Sequence, residues 1–156
     1  MTEFEQLVKA LDEAIWEMGE AFKGLPDEDV WKRADHRLLS VGELAGHVAY
    51  WESKSFLDDG VESPLAIESF RYYEDGGGDA VALPLGAEAV YAEVKRIHEA
   101  SKEALLADPP DLEAPNERRD GWPWGSLLRY QAFHVAYHTG QMYSVRHLLG
   151  HQTVDN

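Results

Sequence analysis

Two histidines stand four residues apart in FHVAYHTGQMYSVRHLLG (residues 133–150), inside what otherwise reads as one continuous helix. Residues at i and i+4 share a helix face, so His134 and His138 can aim ring nitrogens at one point. A third imidazole, His47 in SVGELAGHVAYWE (residues 40–52), completes a three-nitrogen set if its helix faces theirs. Three protein ligands with one position left open is the pattern of a catalytic zinc site, and imidazole equally suits Ni, Fe or Cu. The open position would lower the pKa of a bound water or thiol and generate a nucleophile near neutral pH. The same spacing also fits buried, hydrogen-bonded histidines, so the position of each residue on its element must separate the two readings.

Four segments carry helical periodicity. In the first, Phe4, Leu7, Leu11, Ile15, Met18 and Phe22 recur at steps of three and four before KGLP ends the run. The second starts at Ser40, which has capping-box spacing to Glu43, and runs through Leu44, His47, Val48 and Trp51 to about Phe56. The third covers residues 86–107, and the fourth runs from about Gly125 to Leu149, with Gly150 as its stop. Between the second and third lies a long segment rich in Gly, Pro and acids, read as a crossover with room for a short helical turn. Strand patterns are nearly absent. The expected architecture is all-α: a four-helix bundle with a long crossover between helices 2 and 3, one domain over residues 1–156.

Stepping by four and three along the fourth helix from Leu127 gives Gln131, His134, His138, Gln141, Val145 and Leu148, an inward seam that is apolar at its ends and polar in its middle. On the second helix Leu44, His47 and Trp51 form a comparable seam. His147 and His151 repeat the i,i+4 spacing off the seam and read as a solvated pair at the helix end, favoured by the helix dipole.

The chain has a formal net charge of -15 and no Cys. The charge argues against nucleic acid and anionic membranes as partners. The missing thiols exclude disulfides, thiolate zinc sites and a cysteine nucleophile. With 44% hydrophobic residues and five Trp, seven Tyr and five Phe, it has the composition of a globular protein. No basic-apolar leader is evident at the N-terminus, and no apolar run approaches a membrane span, which places the protein in the cytoplasm as an expectation.

The two blocks SVGELAGHVAYWE and HVAYHTGQMYSVRHLLG resemble the DinB superfamily of metalloenzymes: an early helix with Ser-x-x-Glu-Leu and a His, then a late helix with His-x-x-x-His-x-Gly-Gln, an Arg and Leu-Gly. The resemblance carries His47, His134 and His138 over as the metal triad and leaves out His36, His98, His147 and His151. Thr139 is a departure, standing where many relatives have Arg. What the resemblance implies is a four-helix bundle, one divalent metal such as Zn or Ni, often a homodimer, and a small-molecule substrate. It further implies a thiol S-transferase using a low-molecular-weight thiol such as bacillithiol, with metal-dependent hydrolysis as the alternative; a non-catalytic metal- or ligand-binding module is the remaining reading.

Other residues are weaker candidates. Gln141 and Gln131 flank the triad and can bond a bound water or substrate, or orient the imidazoles. Glu43, a turn before His47, is a candidate base, though its capping-box position favours a structural role. Trp51 reads as pocket wall or core, with a substrate or cofactor platform as the alternative, and Arg146 is a candidate binder of a thiol cofactor's carboxylate or a structural partner of an acid in the crossover. Tyr50 and Tyr137 adjoin ligands in sequence but point off the seam. The loop RRDGWPWG offers Arg118, Arg119 and Trp122 as a lid or as a cover for the bundle end.

Overall fold

A computed structural model describes residues 1–72 and 78–153. Its four long helices are α1 (Glu3–Phe22), α2 (Val41–Phe56), α3 (Ala87–Ala107) and α4 (Trp124–Leu148), close to the expected limits. Two of them begin in capping boxes. At α1, Thr2 and Glu5 exchange side-chain and backbone hydrogen bonds, and at α2 Ser40 and Glu43 do the same. Gly150, at φ +93°, follows the end of α4, a conformation that an L side chain resists.

In the bundle α1 packs on α4 and α3, and α2 packs on α3 and α4, so helices consecutive in sequence at each end of the chain lie across diagonals. Side-chain pairs give the directions. Arg129 reaches Glu3 and Tyr143 reaches Glu17, so α1 and α4 run parallel. Phe56 stacks on Trp124 while His47 meets His134, so α2 and α4 run antiparallel. Tyr91 bonds the Ile15 carbonyl and Lys102 bonds Asp12, so α1 and α3 are antiparallel, which leaves α2 and α3 parallel neighbours. Parallel neighbours need a connection that travels back along the bundle, and this is what the long segment between α2 and α3 supplies. Among its described residues it holds the short 3₁₀ turn Glu68–Phe70.

The core is apolar, from Leu11, Ile15, Met18, Val48, Val94, Ile97, Leu128 and Met142 among others. One polar network crosses it. His98 on α3 bonds Glu52 of α2 and Asp12 of α1, each at 2.7 Å, and Lys102 closes on Asp12. Burial alone would pull the His98 pKa down, but the Glu52 and Asp12 carboxylates outweigh it and raise it to about 9. His98 is therefore an imidazolium that ties three helices together.

Two features depart from expectation. A two-residue antiparallel ladder, β1 (Pro115–Asn116) with β2 (Trp122–Pro123), closes the loop before α4, with Asp120 and Gly121 at positive φ in its turn. The inward stripe of α4 also drifts off the expected seam. Leu127, Gln131 and His134 are buried, but Gln141 is exposed and Leu148 is 67% exposed. Val145 of the expected seam is buried too, but the buried positions also run through Val135, Thr139, Met142 and Arg146. Steps averaging 3.5 residues lose about 20° per seven residues against a straight helix of 3.6, and the slip accumulates along α4. Among the described residues no helix is long and apolar enough to cross a membrane.

Candidate metal centre

His47 is placed by a close approach of backbone to ring. A Cβ on Gly46 would stand 2.6 Å from the Phe70 ring, so only glycine lets the Glu68–Phe70 turn lie flat on α2. That contact sets the Phe70 carbonyl 2.9 Å from His47 Nδ1, which donates to it. The tautomer is thereby fixed, with the Nε2 lone pair facing α4. His138 is oriented in the same way: its Nδ1 donates to Gln141 Oε1 at 2.6 Å, leaving its Nε2 as acceptor. His134 points its Nε2 at His47 Nε2, 3.1 Å away.

The three rings meet nearly edge-on, with centroids 4.5 to 4.9 Å apart, and one nitrogen from each lies within 4.8 Å of the others. Zinc–nitrogen bonds of about 2.0–2.1 Å put tetrahedral ligand atoms roughly 3.3 Å apart, so the observed His47–His134 separation suits a shared ion. His47 and His134 are buried and His138 half-buried. Burial dominates their titration: it lowers His47, takes His138 to about 4, and takes His134 to about 2, with the neighbouring His138, His47 and Arg119 charges assisting for His134. All three are neutral at pH 7, the form that ligates. The donor set, the fixed tautomers and the spacing fit a divalent ion.

The triad forms the wall between two cavities, and His47, Tyr137 and His138 line both. The larger, about 630 Å³, is bounded by Arg37, Leu38, Leu39, Tyr72 and Ser144 on its far side. The smaller, about 290 Å³, is bounded by Trp51, Arg119, Tyr130, Gln131 and Phe133. Tyr130 stacks on His134 with centroids 5.7 Å apart.

The remaining candidates sort by contact. Glu43 is a structural anchor: fully buried, it holds the Arg33 guanidinium at 2.6 and 2.9 Å and accepts from the Ser40 and Val81 amides. Those bonds overcome burial and hold its pKa below the usual glutamate value, which unsuits it as a base. Gln141 orients His138. Among the described residues Arg146 meets no acid of the crossover; it donates to the carbonyls of Ala21, Lys23 and Gln152, closing the C-terminal end of α1 away from the triad. His151 is not solvated as expected but pairs with Asp29 at 2.6 Å. Trp51 does wall the smaller cavity, with its indole N–H bound to the Arg71 carbonyl. Tyr50 turns away to Glu68, whereas Tyr137 stands at the mouth of both cavities. Arg118 pairs with Asp58 and Trp122 packs on Tyr130 outside the cavities, so only Arg119 of that loop reaches the site. Phe70 and Tyr72 escape the sequence reading, because they belong to the irregular crossover, where no periodicity marks an inward residue. The Tyr72 ring lies 5.9 Å from that of His47.

A family model described as the DinB superfamily matches residues 3–142. No curated protein and no solved structure gives a significant match.

Proposed function

This chain belongs to the DinB superfamily, and on that premise we propose that His47, His134 and His138 hold one divalent metal ion, Zn or Ni, at which a low-molecular-weight thiol is joined to a small electrophile. The observation that carries the reading is the convergence of three neutral imidazole nitrogens, two of them on rings of fixed tautomer, within 4.8 Å of one another. A metal bound there would supply a Lewis-acid position that keeps a thiol deprotonated at neutral pH.

The protein's own residues supply the rest. The Phe70 carbonyl and Gln141 hold two imidazoles in their ligating tautomers. His47 and His134 are buried, which limits the access of bulk water to the centre. Two cavities open on the same histidines, an arrangement that supports a reaction of two reactants rather than one. Among the described residues neither cavity is lined by a carboxylate, so activation of either a thiol or a water would fall to the metal itself. With no Cys in the chain, the sulfur enters with a substrate.

The test is to incubate metal-loaded protein with 1-chloro-2,4-dinitrobenzene, with and without small thiols. Turnover that requires both metal and thiol is expected. Turnover that ignores the thiol would establish hydrolysis instead, and no turnover in either arm would make the protein a binding module.

A further inference from the structure

We propose that the smaller cavity is a carboxylate-recognition pocket in which Arg119 and Gln131 select an anionic substrate arm. The inference rests on the metal-centre reading for the position of the substrate's reacting end.

In this strongly acidic chain most arginines are already satisfied. Arg33, Arg37, Arg71, Arg96, Arg118 and Arg129 each hold a carboxylate, and Arg146 is filled by backbone carbonyls. Arg119 is different. Among the described residues no carboxylate lies within ion-pair distance of it, although its neighbour Arg118 takes Asp58. Its guanidinium lies over the Trp51 ring at 4.5 Å, and Nη1 donates to the buried hydroxyl of Ser55. Stacking fixes the plane and the Ser55 bond fixes the rotation, so the remaining N–H donors are held in place beside the cavity. An exposed arginine would be a floppy cation; this one is pre-oriented, which lessens the entropy lost on binding an anion.

Gln131 gives the independent observation. It is fully buried, lines the same cavity, and both its amide nitrogen and its amide oxygen have no hydrogen-bond partner among the described residues. A buried amide left unpaired costs stability, so a residue kept in that state one turn before a triad histidine is matched to a ligand. A guanidinium without a carboxylate partner and an unpaired amide N–H₂ on one cavity of about 290 Å³ describe a receptor for a planar acceptor, and a carboxylate fits both. The aromatic lining from Trp51, Tyr130 and Phe133 suits the carbon chain that joins that carboxylate to the atom reacting at the histidines.

The test uses cobalt-loaded full-length protein, in which a thiolate on the metal gives a charge-transfer absorption band. 3-Mercaptopropionate and 2-mercaptoethanol are titrated against the wild type, Arg119→Gln and Arg119→Lys. The wild type should favour the carboxylate thiol, and Arg119→Gln should cut that preference roughly tenfold or more without moving half-saturation by the neutral thiol. Arg119→Lys should retain part of it. A second arm follows benzoate and benzamide by tryptophan fluorescence, Trp51 lying directly beneath the guanidinium. Loss of anion preference in Arg119→Gln in either arm supports the pocket. No anion preference in the wild type in both arms, or a preference that Arg119→Gln leaves undiminished in every arm that shows one, overturns it. A missing thiolate band with intact benzoate selectivity would instead overturn the thiol reading and leave the pocket standing.

Discussion

Across the α2–α4 interface the Nε2 atoms of His47 and His134 face each other at 3.1 Å, while Nδ1 of His47 is committed to the Phe70 carbonyl. His47 can therefore only accept at Nε2, and His134 Nδ1 is buried without a hydrogen-bond partner among the described residues. A shared cation gives both inward lone pairs a use, whereas a simple hydrogen bond between the rings serves one lone pair. If this is the reason for the arrangement, zinc should raise the melting temperature of the wild type in a concentration-dependent way, since a ligand that binds only the folded state stabilises it by mass action. His134→Ala should show no such rise. His151→Ala should keep the rise in full, because its Asp29 partner lies outside the centre. Differential scanning fluorimetry with and without zinc reads all three.

Gly46→Ala tests how His47 is positioned. The added Cβ would sit 2.6 Å from the Phe70 ring, so the turn must lift off α2. Overpacking of this kind costs about 1–3 kcal/mol, measurable by urea denaturation. The displaced Phe70 carbonyl should also weaken zinc binding, whereas an ordinary core defect would lower stability alone.

Gln141→Leu removes the acceptor from His138 Nδ1 on an exposed stretch of α4. Loss of a partner that orients a ligating imidazole typically costs 10–100-fold in metal affinity. Competition with a chromophoric chelator should find a loss of that order with the melting temperature of the metal-free protein little changed.

The Glu52–His98–Asp12 link predicts a pH dependence of stability. Folded His98 titrates at about 9 and unfolded histidine near 6.5. Below pH 6.5 both states are protonated and the contribution is complete. Between about 6.5 and 9 the folded state binds more protons than the unfolded one, so stability falls as pH rises. Urea midpoints at pH 6 and pH 9 should differ for the wild type, and the difference should shrink in His98→Gln. An equal difference in both proteins would mean that other groups govern it.

Arg146 separates scaffold from site. Arg146→Ala strips three hydrogen bonds from carbonyls around the end of α1 and should destabilise by about 1–3 kcal/mol. Zinc affinity should stay unchanged, because the residue lies off the centre.

The helices and the triad are legible in the sequence because both obey periodic rules. Ser40 and Glu43 announce the start of α2 through a local exchange of hydrogen bonds, and His47, His134 and His138 fall on inward faces set by the helical repeat. What stays hidden depends on nonperiodic contacts. Phe70 reaches α2 only because residue 46 is glycine, and nothing in the crossover's composition signals which carbonyl will meet an imidazole. The distinction between Arg118 and Arg119 is similarly out of reach, since adjacent arginines in one loop take opposite roles through Asp58 and Trp51. Leu148 was placed inward by a seven-residue step that a straight helix does not keep, and Gln141, on the same step, proved to be an exposed orienting residue.

The most direct measurement is the metal content of untagged protein by elemental analysis, before and after exposure to Zn or Ni and removal of the excess. The account predicts one divalent ion per chain in the wild type and none tightly held in His47→Ala, His134→Ala or His138→Ala. Wild-type protein that carries no metal and takes up neither ion, or that binds it equally well after these substitutions, would contradict it.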